Sequence, residues 1–323
     1  MGIPLSLGKV TPRTIWAVLQ QSYLCGRPTW SERDMPDLSG QVVIVTGGNS
    51  GLGKETVRAL LQHNAKVYMA CRSETRAKTA ISDLLLLTGK EAIFLELDLS
   101  SLLSVKTAAE DFLSKENELH ILYNNAGIMV PPIELATLDG YDGTFGCNVL
   151  GHFYFTKLLL PALVAAAASN PTTGRVLNLT SVIHYVAIPN YNTFKDGPTR
   201  RRMYPTDLYS QSKWGNAVFS AELARRYGDK GIISIAVNPG NLRTNLSKDA
   251  FGIAYLGTKI LMIWPVEWGV LGQLWAGTSS EAKPLNGKYV APWGRVRKAR
   301  EDVTDPQTGA ELWTWLEEQI QSL

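Results

Sequence analysis

The stretch VVIVTGGNSGLGKETV, residues 42–57, decides the fold. A β-branched run leads through a glycine-rich loop into a helical segment at residues 54–63. Glycines at Gly47, Gly51 and Gly53 permit a tight turn and let the backbone approach a pyrophosphate, which binds at the positive end of a helix. Although this spacing differs from the common G-x-G-x-x-G, its physical basis is the same. The stretch therefore predicts the first β-α unit of a dinucleotide-binding domain.

Strands and helices alternate beyond this unit, and nearly every strand is a continuous apolar run. Such runs are typical of a parallel sheet that is covered by helices on both faces. Repeated β-α-β units with right-handed crossovers predict an α/β Rossmann fold in a single domain, with a doubly wound parallel sheet of seven strands. The predicted strands are 41–47, 65–72, 92–100, 120–127, 174–181, 233–240 and 287–294, and the main helices are 54–63, 75–87, 105–115, 143–168 and 208–224.

The composition excludes several classes of protein. The chain has 323 residues, 45% hydrophobic and 19% charged, as in globular proteins. A net charge of +3 does not argue for a nucleic-acid partner. Three cysteines without a CxxC pair favour a reducing, cytoplasmic location, and four scattered histidines show no metal-ligand spacing. The basic clusters at 199–202 and 295–300 are interpreted as solvated faces, with peripheral membrane association left open as the alternative.

We assign residues 1–37 to an N-terminal lead-in and residues 38–323 to the domain. The apolar run of the lead-in, residues 15–19, is too short to span a bilayer, and the segment lacks the apolar core of a signal peptide. It predicts a short amphipathic helix that docks on the domain. A homodimer stays open, because nothing in the sequence decides the oligomeric state.

Polar and small residues follow the predicted strands, where ligands of such sheets bind. Arg72 ends the second strand, at the position where NAD-binding proteins place a carboxylate. A guanidinium pairs well with a 2′-phosphate, so NADP(H) is favoured; the alternative is that Arg72 is merely exposed. Asp98 is placed to accept a hydrogen bond from the adenine amino group. The full set of predicted cofactor-binding residues is Gly47, Asn49, Ser50, Gly51, Leu52, Gly53, Arg72, Ser73, Asp98, Leu99, Asn125, Ala126, Gly127, Tyr209, Lys213, Pro239, Gly240 and Thr244.

The segment YSQSK, residues 209–213, places Tyr209 and Lys213 four residues apart in a predicted helix. Residues at this spacing share one helix face. Tyr-x-x-x-Lys alone is a weak signal, because the spacing often arises by chance.

Together with the other motifs, this segment resembles the short-chain dehydrogenase/reductase family. The resemblance covers about residues 38–244 and includes the glycine loop, NNAG, CNVLGH, NLTS, YSQSK and NPG in order. VTGGNSGLGKET, ACRS and CNVLGHFYFTKLLLP look like the retinol-dehydrogenase-like branch, which includes the WW-domain-containing oxidoreductase and many fungal relatives. That branch implies NADP(H) and a lipophilic alcohol or carbonyl substrate.

The resemblance also implies a catalytic tetrad. Tyr209 matches the acid/base of the family, Lys213 its partner, Ser181 the residue that polarises the substrate, and Asn148 the asparagine that supports a water chain to the lysine. Without the motif, Asn148 would equally well be a structural residue that kinks its helix. Ser181 and Tyr209 lie 28 residues apart, more than is usual in the family, so residues 186–206 are interpreted as a substrate-binding insertion. Residues 245–323 are expected to shape the substrate site further.

A phenol ordinarily has a pKa of about 10, roughly three units above neutrality, which corresponds to about 4 kcal/mol. One cation at about 4 Å contributes about 4 kcal/mol at an effective dielectric constant near 20. We therefore expect Lys213 to lower the pKa of Tyr209 toward neutrality, where acid/base catalysis is most effective. Ser181 would donate to the carbonyl oxygen as negative charge builds there.

These observations predict an NADP(H)-dependent oxidoreductase that interconverts a carbonyl and an alcohol on a hydrophobic small molecule, as in fungal secondary metabolism. The alternative is a catalytically silent NADP(H)-sensing or scaffold protein on the same fold, although such proteins usually lack the tyrosine or the lysine. An epimerase or dehydratase is disfavoured by the glycine spacing.

Overall fold

The sheet is built around β1 (Val42–Thr46), in which all five residues are buried. The structure is a computed structural model that describes residues 11–170, 174–243, 263–321 and 323. The strand order is β3-β2-β1-β4-β5-β6-β7-β8, and every pair is parallel except the last. The other strands are β2 (Lys66–Cys71), β3 (Ile93–Glu96), β4 (Ile121–Asn124), β5 (Arg175–Leu179), β6 (Ile233–Val237), β7 (Tyr289–Ala291) and β8 (Arg295–Arg297).

The predicted Rossmann architecture is confirmed, but the predicted number of seven strands is wrong. The eighth strand, β8, pairs antiparallel with β7 at the edge of the sheet. Its sequence is Arg-Val-Arg, and Val296 and Arg297 are exposed. An edge strand that faces solvent has no continuous apolar run, so the pattern that reveals the buried strands does not reveal this one.

Helices cover both faces of the sheet. Neighbouring residues of β1 point to opposite sides, so Ile44 joins one core with Phe112 while Val43 joins the other with Val57. This double burial explains why the strands are apolar at every position. The helices are α1 (Pro12–Ser22), α2 (Gly51–Gln62), α3 (Glu74–Thr88), α4 (Leu102–Leu113), α5 (Gly143–Phe145), α6 (Gly151–Ser169), α7 (Pro205–Tyr227), α8 (Val266–Thr278) and α9 (Pro306–Ile320).

The strand order reverses between β1 and β4, because β2 and β3 lie on one side of β1 while β4 to β8 lie on the other. A crevice forms at such a switch point, beyond the carboxyl ends of the strands. The loops that follow β1 and β4 carry Gly47 and Asn125, so the fold brings these two predicted motifs side by side at this end of the sheet.

The basic cluster at residues 199–202 is not wholly the solvated face that we expected. Arg200 is 1% exposed, and its Nη1 lies 2.9 Å from Oδ2 of Asp142 while its Nη2 lies 2.7 Å from Oδ1 of Asp196. It also donates to the carbonyls of Ile133 and Leu135. A buried guanidinium needs such partners, since an unpaired buried charge is strongly destabilising. Arg200 thus ties the insertion to the loop before α5.

The second basic cluster, residues 295–300, is partly structural as well. Arg295 donates to the carbonyls of Pro292 and Arg27, and Arg300 donates to the carbonyl of Ala187 and to Asp302. Two of these partners, Arg27 and Ala187, are distant in the sequence, so local composition does not reveal those contacts.

Among the residues that the structure describes, one helical stretch, Gly143–Ser169, is long and apolar enough to cross a membrane by length and composition. However, 72% of its apolar window is buried inside the protein. It includes a π-helical turn, Gly146–Leu150, between α5 and α6. Its apolar character is therefore explained by packing between α4 and α7.

Candidate active site

The glycine loop brings the backbone of β1 close to the start of α2. Gly47 has a φ of +67°, and a Cβ added to Gly53 would lie 2.3 Å from the carbonyl oxygen of Gly47. No side chain fits at Gly53 without moving the loop. Ser50 precedes α2 without a capping side-chain bond, and the first turn has no acidic residue. The positive end of α2 is therefore open to an anion, which fits the pyrophosphate of a dinucleotide.

The hydroxyl of Thr46 joins the start of the glycine loop to the loop that follows β4. Its Oγ1 accepts hydrogen bonds from the amides of Asn125 and Ala126, both at 2.9 Å. It also lies 2.9 Å from Nε2 of His152, whose Nδ1 lies 2.9 Å from the carbonyl oxygen of Asn148. Burial lowers the pKa of His152 to about 4, so this imidazole is neutral. Since Nδ1 must donate to the carbonyl, Nε2 accepts, and the proton of the Thr46 hydroxyl points to it.

The ends of β2 and β3 place Arg72 beside Asp98. Nη1 of Arg72 lies 3.9 Å from Oδ2 of Asp98, and the Arg72 side chain is 68% exposed. Oδ1 of Asp98 accepts from the amide and the hydroxyl of Ser100 at 2.9 and 2.7 Å, which orients the carboxylate. Ser73 caps α3 by accepting from the amide of Arg76 at 3.4 Å, so its hydroxyl proton is still available. The carbonyl of Leu99 packs against Gly151 at the start of α6.

The residues at the crevice fit a dinucleotide. Besides the open end of α2, the buried Oδ1 of Asn125 has no hydrogen-bond partner among the residues that the structure describes. Gly127 packs against two predicted tetrad residues. A Cβ at this position would lie 3.1 Å from Oδ1 of Asn148 and 3.5 Å from Nζ of Lys213. A buried acceptor without a partner is costly unless a ligand supplies the donor.

The structure brings the four predicted tetrad residues together. Ser181 lies beside the Tyr209 phenol, and its hydroxyl acts to lower the pKa of that phenol. Nζ of Lys213 lies 5.7 Å from the centroid of the Tyr209 ring and donates to the carbonyl of Leu179 at 3.0 Å. Lys213 is only 6% exposed.

Asn148 completes the group from the π-helical turn Gly146–Leu150. Its Nδ2 donates to the carbonyl of Ile128 at 3.1 Å and to the hydroxyl of Ser212 at 3.0 Å, and its Oδ1 accepts from the amide of Ile128 at 2.9 Å. These bonds join the loop after β4 to α7. The side chain therefore has a structural task, and the kink that we considered as its alternative role is present as the π-turn.

The expected lowering of the pKa of Tyr209 is not found. Burial raises the pKa of this phenol above its ordinary value, and the Ser181 hydroxyl offsets the rise only in part. Burial also lowers the pKa of Lys213 to about 8. Our argument from the sequence counted the attraction between the two charged forms but left out the cost of taking each charge out of water.

The loop after β5 is rigid around Ser181. The Ser181 hydroxyl accepts from the amide of Ile183 at 3.3 Å, and its carbonyl accepts from Nδ1 of His184 at 2.7 Å. These bonds close a 3₁₀ turn, Val182–Val186. His184 is fully buried, so it supports the serine from behind and does not face a ligand.

The loop after β6 forms the last wall. The amide of Gly240 donates to Oδ1 of Asn238 at 3.0 Å, and its φ of +87° requires a glycine. A Cβ at Gly240 would lie 3.1 Å from the Trp293 ring, so Gly240, which follows Pro239, lies under that indole. Thr244, the remaining predicted cofactor ligand, lies outside the described residues.

Sequence reasoning missed three residues that organise this site. Thr46 and Asn238 lie inside the motifs VTGGNSGLGKET and NPG but were given no role, so their position at the ends of β1 and β6 was the available signal. Gln21 also reaches the site, because its Oε1 lies 3.3 Å from Nδ2 of Asn238. Nothing near Gln21 in the sequence points to this contact.

Known proteins are similar to this chain over nearly its whole length. A family model described as short chain dehydrogenase matches residues 41–252. A short-chain dehydrogenase/reductase of Armillaria gallica is 53% identical over 306 residues, with 94% of this chain and 98% of that protein covered. Retinol dehydrogenase 12 of Mus musculus is 34% identical over 281 residues, with 85% of each chain covered. A crystal structure of an uncharacterized protein from Mycobacterium paratuberculosis superposes with a TM-score of 0.71 at 29% identity, covering 90% of this chain and 97% of the other.

Proposed function

This chain belongs to the short-chain dehydrogenase/reductase family, in its retinol-dehydrogenase-like branch, and on that premise we propose that it is an NADP(H)-dependent oxidoreductase. It interconverts a carbonyl and an alcohol on a hydrophobic small molecule. The observation that carries the proposal is the meeting of Ser181, Tyr209 and Lys213 next to the glycine-walled crevice.

Each side chain of the tetrad has a distinct task in this proposal. Bound NADPH supplies the hydride. Tyr209 gives its phenolic proton to the oxygen of the substrate, and Ser181 donates a hydrogen bond to the same oxygen as charge builds there. Since burial raises the pKa of Tyr209, the phenol is protonated at neutral pH and is ready to act as the acid of carbonyl reduction. The ammonium of Lys213 lies over the phenol ring, where it favours the tyrosinate that remains.

The open arrangement around Arg72 supports NADP(H). Its guanidinium is exposed at the carboxyl end of β2, and Asp98, 3.9 Å away, lies in the turn that follows β3. A 2′-phosphate would find a mobile cation with several donors there.

An apolar substrate is supported by the aromatic cluster next to Gly240. Trp264 and Trp268 stack with ring centroids 5.4 Å apart, and Trp293 packs edge-on against both. Trp264 and Trp268 are only partly buried, so they offer apolar surface near the loop after β6.

Peripheral membrane association and a homodimer are also proposals. The first is supported by Ile15, Trp16 and Leu19, which are exposed on α1, and by the exposed Arg13 on the same helix. Vesicle cosedimentation with anionic lipid and sedimentation velocity test the two ideas separately. We infer a cytoplasmic location from the three free cysteines, Cys25, Cys71 and Cys147.

Replacing Tyr209 by Phe should lower kcat for carbonyl reduction by about a hundredfold or more, because the proton donor is lost. The Kd for NADPH, measured by its fluorescence, should stay within a few-fold. Tyr204→Phe is the matched control, since Tyr204 is exposed at the N-terminal end of α7 and should tolerate the change. Full activity of Tyr209→Phe would exclude this tyrosine as the acid. Tight NADPH binding by the wild-type chain without turnover on a broad carbonyl panel would favour the sensor or scaffold alternative.

Replacing Arg72 by Asp should reverse the cofactor preference. Loss of the charge-assisted bonds and repulsion of the 2′-phosphate should raise KM for NADPH by about tenfold to a hundredfold, with little change for NADH. Arg33→Asp, at an exposed position on the lead-in, is the control for charge reversal alone. The assignment fails if the ratio of kcat/KM for NADPH and NADH is the same in wild type and Arg72→Asp.

The pH profile of carbonyl reduction should report Lys213. The amine of Lys213 is positively charged well below its pKa of about 8, and this charge is lost as the pH rises through that value. Tyr209 stays protonated over the same range because its pKa is raised. We expect kcat to be level from about pH 6 to 7 and to fall by about tenfold per unit above pH 8. Lys78→Met, at an exposed lysine, should leave the profile unchanged. A level profile to pH 10 would show that the charge of Lys213 does not matter.

A further inference from the structure

The lead-in places a buried amide against the active site. Gln21, in the last turn of α1, is 4% exposed. Its Oε1 accepts from the hydroxyl of Tyr289 at 2.6 Å and from Nδ2 of Asn238 at 3.3 Å, and its Nε2 donates to the hydroxyl of Tyr185 at 3.4 Å. A buried amide is stable only when it is paired in this way. Gln21 thus joins three parts of the domain that are far apart in the sequence.

One of these contacts sets the orientation of Asn238. Because Gln21 presents its oxygen, Asn238 must turn its amide nitrogen toward it. The other end of that side chain, Oδ1, is then directed to the amide of Gly240 at 3.0 Å. Gln21 therefore acts on the loop of Pro239 and Gly240 through a single intervening side chain.

A second contact leads to the loop of Ser181. The Tyr289 ring, whose hydroxyl is held by Gln21, packs edge-on against His184 with centroids 4.9 Å apart. His184 in turn donates from Nδ1 to the carbonyl of Ser181 at 2.7 Å. Tyr185, the third partner of Gln21, follows His184 in the same turn.

The backbone after α1 attaches to the same region. The carbonyl of Ser22 accepts from the indole of Trp264 at 2.8 Å, and the carbonyl of Gly26 accepts from the indole of Trp293 at 2.9 Å. Trp293 is the side chain that covers Gly240. Cys25 packs between Leu242 and Trp293.

We propose that Gln21 is a positioning residue of the active site, which holds the Ser181 loop and the Gly240 loop at their mutual distance. The proposal rests on the proposed function, in which these two loops face the nicotinamide half of the cofactor. Arg72 and Asp98, which face the adenine half, have no contact with Gln21 among the described residues. The loss of Gln21 should thus affect one half of the nucleotide site and leave the other intact.

The test compares Gln21→Met, which keeps the approximate shape but removes the hydrogen bonds, with Gln20→Met on the same helix. Each variant is titrated with NADPH and with 2′,5′-ADP, which has only the adenine half with its 2′-phosphate. In Gln21→Met we expect Kd for NADPH to rise by about fivefold and kcat to fall by about tenfold, as for the loss of one or two hydrogen bonds. Kd for 2′,5′-ADP should stay within about twofold, whereas Gln20→Met should match wild type for both ligands.

Two outcomes overturn the proposal: identical behaviour of Gln21→Met and Gln20→Met, or equal weakening of NADPH and 2′,5′-ADP, which would mean general loosening. If circular dichroism shows that Gln21→Met does not fold, Tyr289→Phe replaces it, because it removes only the hydroxyl that donates to Gln21. This variant must then show a raised Kd for NADPH and an unchanged Kd for 2′,5′-ADP. Failure of the proposed function looks different, because the wild-type chain itself would then neither bind NADPH nor reduce a carbonyl.

Discussion

The site depends on one hydroxyl group, that of Thr46 at the end of the central strand. Its oxygen holds the amides of Asn125 and Ala126, and its proton is directed to His152. The imidazole in turn holds the carbonyl of Asn148, whose side chain reaches Ser212 on α7. One continuous set of buried hydrogen bonds therefore connects the glycine loop to the helix of Tyr209 and Lys213. Buried networks of this kind fix one arrangement because each member would be left unpaired in any other.

The core of the fold could be predicted because the buried strands are apolar at each position. The glycine loop indicated at which end of these strands a dinucleotide would bind. Boundaries were less accurate. The third strand was predicted at residues 92–100, whereas β3 ends at Glu96, because Asp98 and Ser100 bond to each other in a turn beyond the sheet. The edge strand β8 and the burial of Arg200 were missed for different reasons. The strand β8 faces solvent and has no apolar run, whereas Arg200 is buried against Asp142, which is distant in sequence, and no local pattern reports that contact.

The predicted motifs follow the carboxyl ends of parallel strands at one edge of the sheet, and motifs that combine a residue type with a fixed spacing made it possible to find them. The motifs do not indicate how burial changes the pKa of a side chain. Burial raises the pKa of Tyr209 and lowers that of Lys213, opposite to what attraction between the two groups would give. The contacts of Gln21 could not be predicted either. A single glutamine in a lead-in helix matches no motif, and its partners, Asn238 and Tyr289, are distant in the sequence.

The contact between Gln21 and Tyr289 spans 268 residues. During synthesis on the ribosome, α1 emerges long before β7, so Gln21 cannot find its partner until the chain has been translated beyond Tyr289. Contacts of such long range slow folding, and the segments that wait for them expose surface to the cell meanwhile. A truncated translation product that ends before β7 would thus contain the glycine loop and the tetrad but lack the hydrogen bond between Gln21 and Tyr289.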